Sequence, residues 1–582
     1  MRYKYFYTLY SACLHRLRQN YSLLFLTFIS SISLALLVIR TPQGLYSDPA
    51  WQIKALQQYL AGESPSFNHC VMPQAEDLFQ GKAGWIGYWP PGTQLLAYPL
   101  MANRIVAGDA IRIIAIVCLV LGSLGWVRWF SLFNFPPWVK ISLAILLPWM
   151  HYPSNALFMY SAEILVYASA PWILLLTYRL SNIWKQRKFG LGIILMSAPL
   201  GFALGFVYIL KYSAVFVSLG ALVYLGLFVY NLHKNTNRHL CVRVLISFLL
   251  VIVFFIIPIA TYNLINYKFG GYLNQITLRA EFNLRWENSV FILANPALIA
   301  ADADSLWNYV LLHPTHGLLK DFSWPDPGSQ ESSMWLALVG LPGGLLLLWL
   351  SLYSDVPGGK RSLALSVFFT SLVVMLGIWT VSRIAISYQA RYLAGASIAI
   401  LPLAIQAGFS LWSHNRSRII RLVLICGAIS YIVIPLLYGG VSVIAKVMRT
   451  PRDYKVGPSR IYNHLLAQHD LAGVRDRLLR YFSADTDIWY IPEPMSALDL
   501  PGRAIITHAD FEDKNELERR RYISRMPLRI HALLPPIFEA NGKGQIIRKS
   551  FVQAKNWVMT KIDGCNYFVW TATINVDSDK VK

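Results

Sequence analysis

Long apolar segments recur along the first three quarters of the chain. Runs of roughly 18 to 22 apolar residues repeat from Tyr21 to about Tyr438, and each is long enough to cross a bilayer core of about 30 Å. They predict about eleven transmembrane spans, at 21–40, 109–128, 138–157, 163–181, 190–208, 212–231, 244–263, 333–352, 362–381, 393–411 and 420–440. Only Lys211 separates the fifth span from the sixth. The pattern therefore predicts a polytopic α-helical membrane protein.

The charges between these runs predict an orientation. Basic residues collect on the cytoplasmic side of membrane proteins, and Arg2 and Lys4 precede the first span. With a cytoplasmic N-terminus, alternation of the spans places three basic clusters on the same side, namely Arg179 to Lys188, Lys234 to Arg243 and Arg416 to Arg421. The predicted location is the plasma (inner) membrane, with the C-terminal segment on the outer side.

The polar mass is concentrated on that outer side. Two large outer loops, 41–108 and 264–332, lie within a membrane domain of residues 1–443, and residues 444–582 have the composition of a soluble domain. A simple transporter usually has short loops on both sides. The asymmetry indicates work at the outer membrane surface.

The C-terminal segment has a mixed pattern typical of a small α/β or α+β domain. Residues 458–482 repeat apolar side chains with helical spacing, and 512–522 predict an exposed charged helix. DIWYIPEP and RAIITHADF predict short strands, and residues 557–574 predict a hairpin that turns at Asp563-Gly564.

The distribution of charge and the spacing of the cysteines argue against nucleic-acid binding and against a cysteine-based metal or redox site. Only 14% of residues are charged, and the net charge of +22 is spread in short clusters between apolar runs rather than gathered in one patch. A nucleic-acid partner is therefore not expected. None of the six cysteines has the spacing of a metal knuckle or a redox motif.

Asp48 is the first residue that could carry chemistry. It lies just after the first span, in SDPAWQIKALQQYL, whose apolar residues recur with helical spacing, as in an amphipathic helix along the membrane interface. A carboxylate there could accept a proton from a hydroxyl nucleophile. Alternatively, Asp48 caps the helix, because Asp followed by Pro is a favourable helix start. The two roles are compatible.

A second segment, YWPPGTQLLAYPL, begins at Tyr88. Pro90, Pro91 and Gly92 form a rigid turn into an apolar helix. Taken alone, this is a structural turn at the interface.

Together these segments resemble the GT-C glycosyltransferases, and more narrowly the protein-mannosyltransferase and lipid A aminoarabinose transferase group. The shared features are an Asp after the first span, a PPG turn and an Arg-bearing second span (Arg112). Three further segments match: YSAEILVYASAPWILLL, GFALGFVYILKYSA and YQARYLAGASIAILPLAI. The resemblance covers roughly 40–410. Asp48-Pro49 stands where the family often has two adjacent acids, and the C-terminal segment matches nothing in the group.

The resemblance implies inverting transfer of a sugar from a polyprenyl-phosphate donor to a lipid, glycan or protein acceptor. Asp48 and Glu163 are then the predicted catalytic residues. Lys211, Arg391, Arg279 and Arg285 are expected to bind the donor phosphate. Tyr88, Trp89 and Tyr392 are expected to bind substrate. No cofactor is assigned, and whether a divalent cation takes part stays open.

Structural roles stay open for the same residues. Glu163 near a span end could reach water, Lys211 could extend from a helix end towards the surface, and Arg391 could cap a loop. His313 and His316 lack a clear third ligand, so no metal site is predicted.

Rival functions also stay open. They are a polymerase or ligase of lipid-linked polysaccharide, a transporter or flippase, and a scaffold without activity. A transporter predicts paired charges inside the membrane and internal symmetry.

Overall fold

The computed structural model describes most of the membrane domain and separate parts of the C-terminal segment. Described are residues 21–39, 47–60, 70–71, 90–158, 160, 162–186, 191–235, 238–268, 345–356, 358–381, 393–414, 417–428, 444, 447–448, 477, 487–490, 504–506, 529–534, 539, 542, 544–545, 548, 554–562 and 568–574.

The described membrane domain is helical. Its helices are α1 (Tyr21–Val38), α2 (Ser47–Leu60), α3 (Gly92–Ala102), α4 (Ala107–Ser131), α5 (Pro137–Leu146), α6 (His151–Phe158), α7 (Glu163–Lys185), α8 (Leu191–Leu210), α9 (Val215–Asn235), α10 (Arg238–Lys268), α11 (345–353), α12 (Gly359–Val381), α13 (Ala394–His414) and α14 (Arg418–Ala428). Short 3₁₀ turns, Leu147–Trp149 and Tyr212–Ala214, follow α5 and precede α9.

Within this described part, six segments are long and apolar enough to cross a membrane. They are Tyr21–Val38, Ala107–Ser131, Glu163–Lys185, Tyr212–Lys234, Cys241–Ile265 and Gly395–His414. Each coincides with a span predicted from the sequence, so the multi-pass character of the chain is confirmed. The predicted break at Lys211 is also present, because α8 ends at Leu210 and the 3₁₀ turn before α9 begins at Tyr212.

The third predicted span, 138–157, was wrong as one continuous helix. The structure divides it into α5, the 3₁₀ turn Leu147–Trp149 and α6. Pro148 is the second residue of that 3₁₀ turn, and a proline has no backbone N–H to continue an α-helical ladder. The apolar run is long enough to span, but its backbone is not regular.

Small residues bring the helices into close contact. A Cβ on Gly201 would lie 2.3 Å from the backbone O of Val251, and a Cβ on Gly205 would lie 2.2 Å from the backbone O of Phe255. Both glycines therefore lie directly against the α10 backbone. Four-residue spacing of small residues is a common device for packing helices in membranes.

Helices α4 and α7 run side by side in the same direction. A Cβ on Gly122 would lie 2.4 Å from the Tyr167 ring, and one on Gly125 would lie 2.7 Å from Cγ of Pro171. The contacts advance together along both helices. Glu163, one turn before Tyr167, is therefore level with the middle of α4, about 16 Å along the helix axis from Ala107 at 1.5 Å per residue.

A tryptophan replaces the backbone hydrogen bond that Pro171 removes from α7. Proline cannot donate to the carbonyl four residues earlier, which here belongs to Tyr167. Nε1 of Trp126 on α4 donates to that carbonyl at 3.1 Å. Within a membrane such a carbonyl needs a hydrogen-bond partner from the protein. Here the side chain of Trp126 on α4 provides it.

The described part of the C-terminal segment contains a mixed sheet. Its strands are β2 (Asp487–Tyr490), β3 (Ala504–Ile506), β4 (Arg529–Leu534), β5 (Ala554–Lys561) and β6 (Phe568–Ile574). Strands β2, β3 and β4 are parallel, whereas β4, β6 and β5 pair in antiparallel fashion. The predicted strands and hairpin are present, and β4 was not predicted. The hairpin turn and helix 512–522 lie outside the described residues, as does helix 458–482 except Arg477.

A strand from the first predicted outer loop joins this sheet. Strand β1 (Cys70–Val71) pairs in parallel with β3, with Cys70 opposite Ile505 and Val71 opposite Ile506. The first loop and the C-terminal sheet must therefore lie on the same side of the membrane domain. A strand of two residues leaves no periodicity to recognise in the sequence.

Candidate functional site

Helix α2 carries Asp48 in its first turn, where a carboxylate is favoured by the helix dipole. The sequence predicts an amphipathic helix along the membrane interface, but the structure buries two of its polar residues. Gln52 and Lys54 are buried, whereas Tyr59 and Leu60 at the end of the helix are exposed. The apolar residues Ala50, Ile53 and Leu56 are buried as well, so α2 is packed against protein on more than one face.

The buried side chain of Gln52 is hydrogen-bonded at both polar ends to backbone groups of a distant segment. Its Nε2 donates to the backbone O of Pro90, and its Oε1 accepts from the backbone N–H of Thr93 at 3.2 Å. One side chain thus closes both ends of the Pro-Pro-Gly turn and fixes it to α2. The two segments that carry the sequence resemblance are joined here.

Gly92 connects this turn to the end of α8. A Cβ at Gly92 would lie 2.3 Å from the backbone O of Leu210 and 2.6 Å from its Cα. No larger residue fits without moving one of these backbones. The start of α3 therefore lies against the residue that precedes Lys211.

Lys211 and Glu163 form a buried ion pair. Nζ of Lys211 lies 3.5 Å from Oε1 of Glu163, and their side chains are 6% and 5% exposed. The backbone of Lys211 is extended, with φ −159° and ψ 130°. The start of α7 is held by Tyr152, whose hydroxyl donates to the carbonyl of Glu163 at 3.0 Å. Neither residue extends to a water-facing surface, as the structural alternatives required.

Burying such a pair has a large cost in desolvation free energy. Removing two charges from water costs more than their attraction returns unless the geometry and the surrounding hydrogen bonds are good. Ionisable residues at membrane depth are rare and usually have a function. The pair is therefore a strong candidate for a functional centre.

Tyr160 lies in the turn before α7 and has a strained backbone. Its φ is +33°, a value that a bulky L-residue rarely adopts, and its side chain is fully buried. Burial raises the pKa of Tyr160, Cys118 raises it further, and the neighbouring Thr93 side chain acts in the opposite direction. The phenol therefore stays neutral. Strain of this kind is often found at functional sites.

These contacts define a buried polar layer about halfway along α4. We use that name for Thr93, Gln94, Tyr160, Glu163 and Lys211, all of which are buried. They come from α3, the turn before α7, the start of α7 and the break after α8. Sequence reasoning identified Glu163 and Lys211 separately. It missed Gln52, Gln94 and Tyr160, since only their contacts across the fold distinguish them.

The other predicted site residues lie outside the described part. They are Arg391, Tyr392, Arg279, Arg285, Tyr88 and Trp89, together with His313 and His316, and the side chain of Asp48. Among the described residues there is no group of three or more His, Cys, Asp or Glu side chains that could hold a metal ion.

Comparison with known sequences gives no match, either to protein-family models or to curated proteins. Comparison with solved structures does. ArnT from Cupriavidus metallidurans, bound to undecaprenyl phosphate, is 9% identical over 94% of this chain and 98% of its own, with a TM-score of 0.48.

The archaeal oligosaccharyltransferase AglB from Archaeoglobus fulgidus, in complex with an inhibitory peptide and a dolichol-phosphate, is 12% identical. The match covers 97% of this chain and 75% of AglB, with a TM-score of 0.47. These matched structures are GT-C glycosyltransferases, the family to which the sequence points.

Proposed function

We propose that the protein is an inverting glycosyltransferase that moves a hexosyl or pentosyl group from a polyprenyl-phosphate carrier to an acceptor. It would work at the outer face of the plasma (inner) membrane, with eleven spans, a cytoplasmic N-terminus and residues 444–582 outside. The observation that carries the proposal is the buried Glu163–Lys211 pair. Gly92 of the Pro-Pro-Gly turn packs against the backbone of Leu210, the residue that precedes Lys211. Gln52 ties that turn to the helix of Asp48.

The chemistry needs two functions at one place. An acceptor hydroxyl attacks C1 of the sugar on the side opposite the carrier, and the bond between C1 and the phosphate oxygen breaks. A base must take the acceptor proton, and a cation must stabilise the negative charge that develops on the leaving phosphate. The products are the glycosylated acceptor and the free polyprenyl phosphate.

Residues of this chain are suited to both functions. We assign Asp48 as the base and Lys211 as the cation, with Glu163 holding the ammonium group in place before the phosphate arrives. Arg391, Arg279 and Arg285 remain candidates for further phosphate contacts, and Tyr88, Trp89 and Tyr392 for contacts with the sugar or the acceptor. A divalent cation remains a proposal without support among the described residues.

The same ion pair also favours one rival, a transporter. Paired charges at membrane depth are expected in a transport pathway, and Glu163 lies level with the middle of α4. A transporter would move a solute without forming a product, so the two functions are separable by experiment.

The test begins with binding of the carrier. Undecaprenyl phosphate, the lipid bound by the Cupriavidus protein, is titrated against purified wild type, Lys211→Met and Lys185→Met, in which a lysine at the other end of α7 is changed. Wild type and Lys185→Met should bind, and Lys211→Met should bind at least about tenfold more weakly, as expected for losing a charged hydrogen bond.

Transfer is then measured from radiolabelled polyprenyl-phosphate hexoses and pentoses to a panel of lipid, glycan and peptide acceptors. A labelled product formed by wild type and Lys185→Met, and lost in Lys211→Met, supports the proposal. Equal binding and equal transfer by all three proteins would remove Lys211 from the site. No binding of any polyprenyl phosphate would contradict the function itself.

A further inference from the structure

The N-terminus of α3 contains a buried amide that has no hydrogen-bond partner. Gln94 is the third residue of α3 and is 2% exposed. Within the part of the chain that the structure describes, neither its Nε2 nor its Oε1 makes a hydrogen bond. Most buried polar side chains in folded proteins are paired, so a glutamine with both ends open requires an explanation.

The position of Gln94 places this amide in the polar layer. Gln94 follows Thr93, whose N–H is held by Gln52 and whose side chain neighbours Tyr160. Two residues before Gln94, Gly92 lies against Leu210, next to the Lys211–Glu163 pair. The open amide therefore belongs to the turn of α3 that contacts the residue before Lys211.

The chemistry of the side chain restricts what it can bind. A phosphate offers only acceptors and would leave the Oε1 of Gln94 unpaired. A neutral amide has two donors and an acceptor, and its complement is a group that both donates and accepts. Adjacent hydroxyls on a sugar ring meet this requirement, because one can accept from Nε2 while the other donates to Oε1.

We propose that Gln94 binds the sugar of the donor through its ring hydroxyls and so contributes to the choice of sugar. This inference rests on the proposed function and adds a specificity residue to it. Lys211 would bind the phosphate, and Gln94 would form hydrogen bonds with the hydroxyls of the sugar attached to that phosphate. The strained turn at Tyr160 would keep α7 in register with the start of α3.

The variant that tests this is Gln94→Met, which keeps the size of the side chain and removes both hydrogen-bonding ends. The probes are undecaprenyl phosphate alone and the same lipid carrying glucose, mannose or arabinose, with affinity measured for wild type and variant. The lipid without a sugar is the control, because it engages the phosphate site but offers no ring hydroxyl.

For wild type, one of the three sugars should increase the affinity over the bare lipid. In Gln94→Met that increase should be lost, by about tenfold or more, as expected when buried polar groups lose a substrate hydroxyl. Affinity for the bare lipid should be unchanged. Deoxy analogues of the preferred sugar then identify the hydroxyls: wild type should discriminate against them, and the variant should not.

Three outcomes would overturn the inference. If Gln94→Met keeps the full increase from the sugar, the amide is satisfied by buried water only. If no sugar increases the affinity of wild type, there is no sugar subsite at this layer. If bare lipid does not bind either protein, the proposed function itself fails. The thermal unfolding temperature of Gln94→Met shows whether the variant is folded. It should equal that of wild type, because no native hydrogen bond is lost.

Discussion

The backbone N–H of Thr93 donates to Oε1 of Gln52 at 3.2 Å, although the two residues are 41 positions apart. The same side chain donates to the carbonyl of Pro90. Replacing Gln52 with Leu should leave both backbone groups unpaired in a buried place, which costs about 1–3 kcal/mol. We expect a lower unfolding temperature and slower sugar transfer, measured on the same purified protein.

The matched control is Gln57→Leu on the same helix, where the side chain is half-buried. It should leave both quantities close to those of wild type. If Gln52→Leu behaved in the same way as this control, the clamp between α2 and the Pro-Pro-Gly turn would have no energetic importance.

Substitutions in the Glu163–Lys211 pair should affect stability and sugar transfer differently. Glu163→Gln or Lys211→Met alone removes one partner of a buried ion pair and should destabilise the protein by about 3–5 kcal/mol. The double variant buries no charge at either position and should recover most of that loss. Sugar transfer should stay low in Lys211→Met and in the double variant, because neither keeps the cation that stabilises the leaving phosphate. It should also stay low in Glu163→Gln, because Lys211 is no longer held in place.

Thermal or denaturant unfolding of the three variants provides the stability cycle, and transfer by each provides the comparison. Additive destabilisation in the double variant would show that the two residues do not interact. Recovery of transfer together with stability would show that the pair is structural only.

Trp126 and Pro171 should be coupled through the carbonyl of Tyr167. Trp126→Phe removes the indole N–H that this carbonyl accepts, and should destabilise α7. In a Pro171→Ala background the backbone N–H at 171 can take its place, so the same change should be less harmful. We expect a coupling of about 0.5–1.5 kcal/mol in a double-mutant cycle of unfolding free energies. A coupling of zero would mean that α7 does not rely on the tryptophan.

Pairing of β1 with β3 predicts a common side for the first loop and the C-terminal sheet. In a chain whose six cysteines are replaced by serine, Lys561→Cys on β5 and Lys185→Cys at the end of α7 are compared. An impermeant thiol reagent should label position 561 in intact cells and position 185 only after permeabilisation. The reverse pattern would invert the proposed orientation, and labelling of both would contradict the separation of the two ends.

The apolar pattern alone predicted much of the membrane domain, because a lipid-facing helix must be apolar over a length set by the bilayer. It failed where backbone chemistry outweighs hydropathy, as at Pro148 in the third predicted span. It also counted Gln52 and Lys54 among the polar residues of an interfacial helix, whereas the structure buries both. For Gln52, the partners that make burial favourable belong to a distant turn.

The candidate site was predicted in its parts but not in its arrangement. Glu163 and Lys211 were singled out as charges in an apolar setting, yet no local pattern shows that they face each other. Gln94 and Tyr160 leave no signal, because a glutamine near a helix start and a tyrosine before a span are both ordinary. Their importance comes from a missing partner and a positive φ, which only the folded chain reveals.

The central claim is sugar transfer with Asp48 as the base, and the most direct measurement compares wild type with Asp48→Asn and Asp355→Asn. Asp355 is an exposed carboxylate beyond α11, so its variant makes the same chemical change away from the polar layer. Donor and acceptor are those with which wild type forms a labelled product. We predict that Asp355→Asn transfers like wild type, whereas Asp48→Asn loses at least about a hundredfold in kcat, as expected for removal of a general base. Equal transfer by all three proteins would contradict the assignment of Asp48.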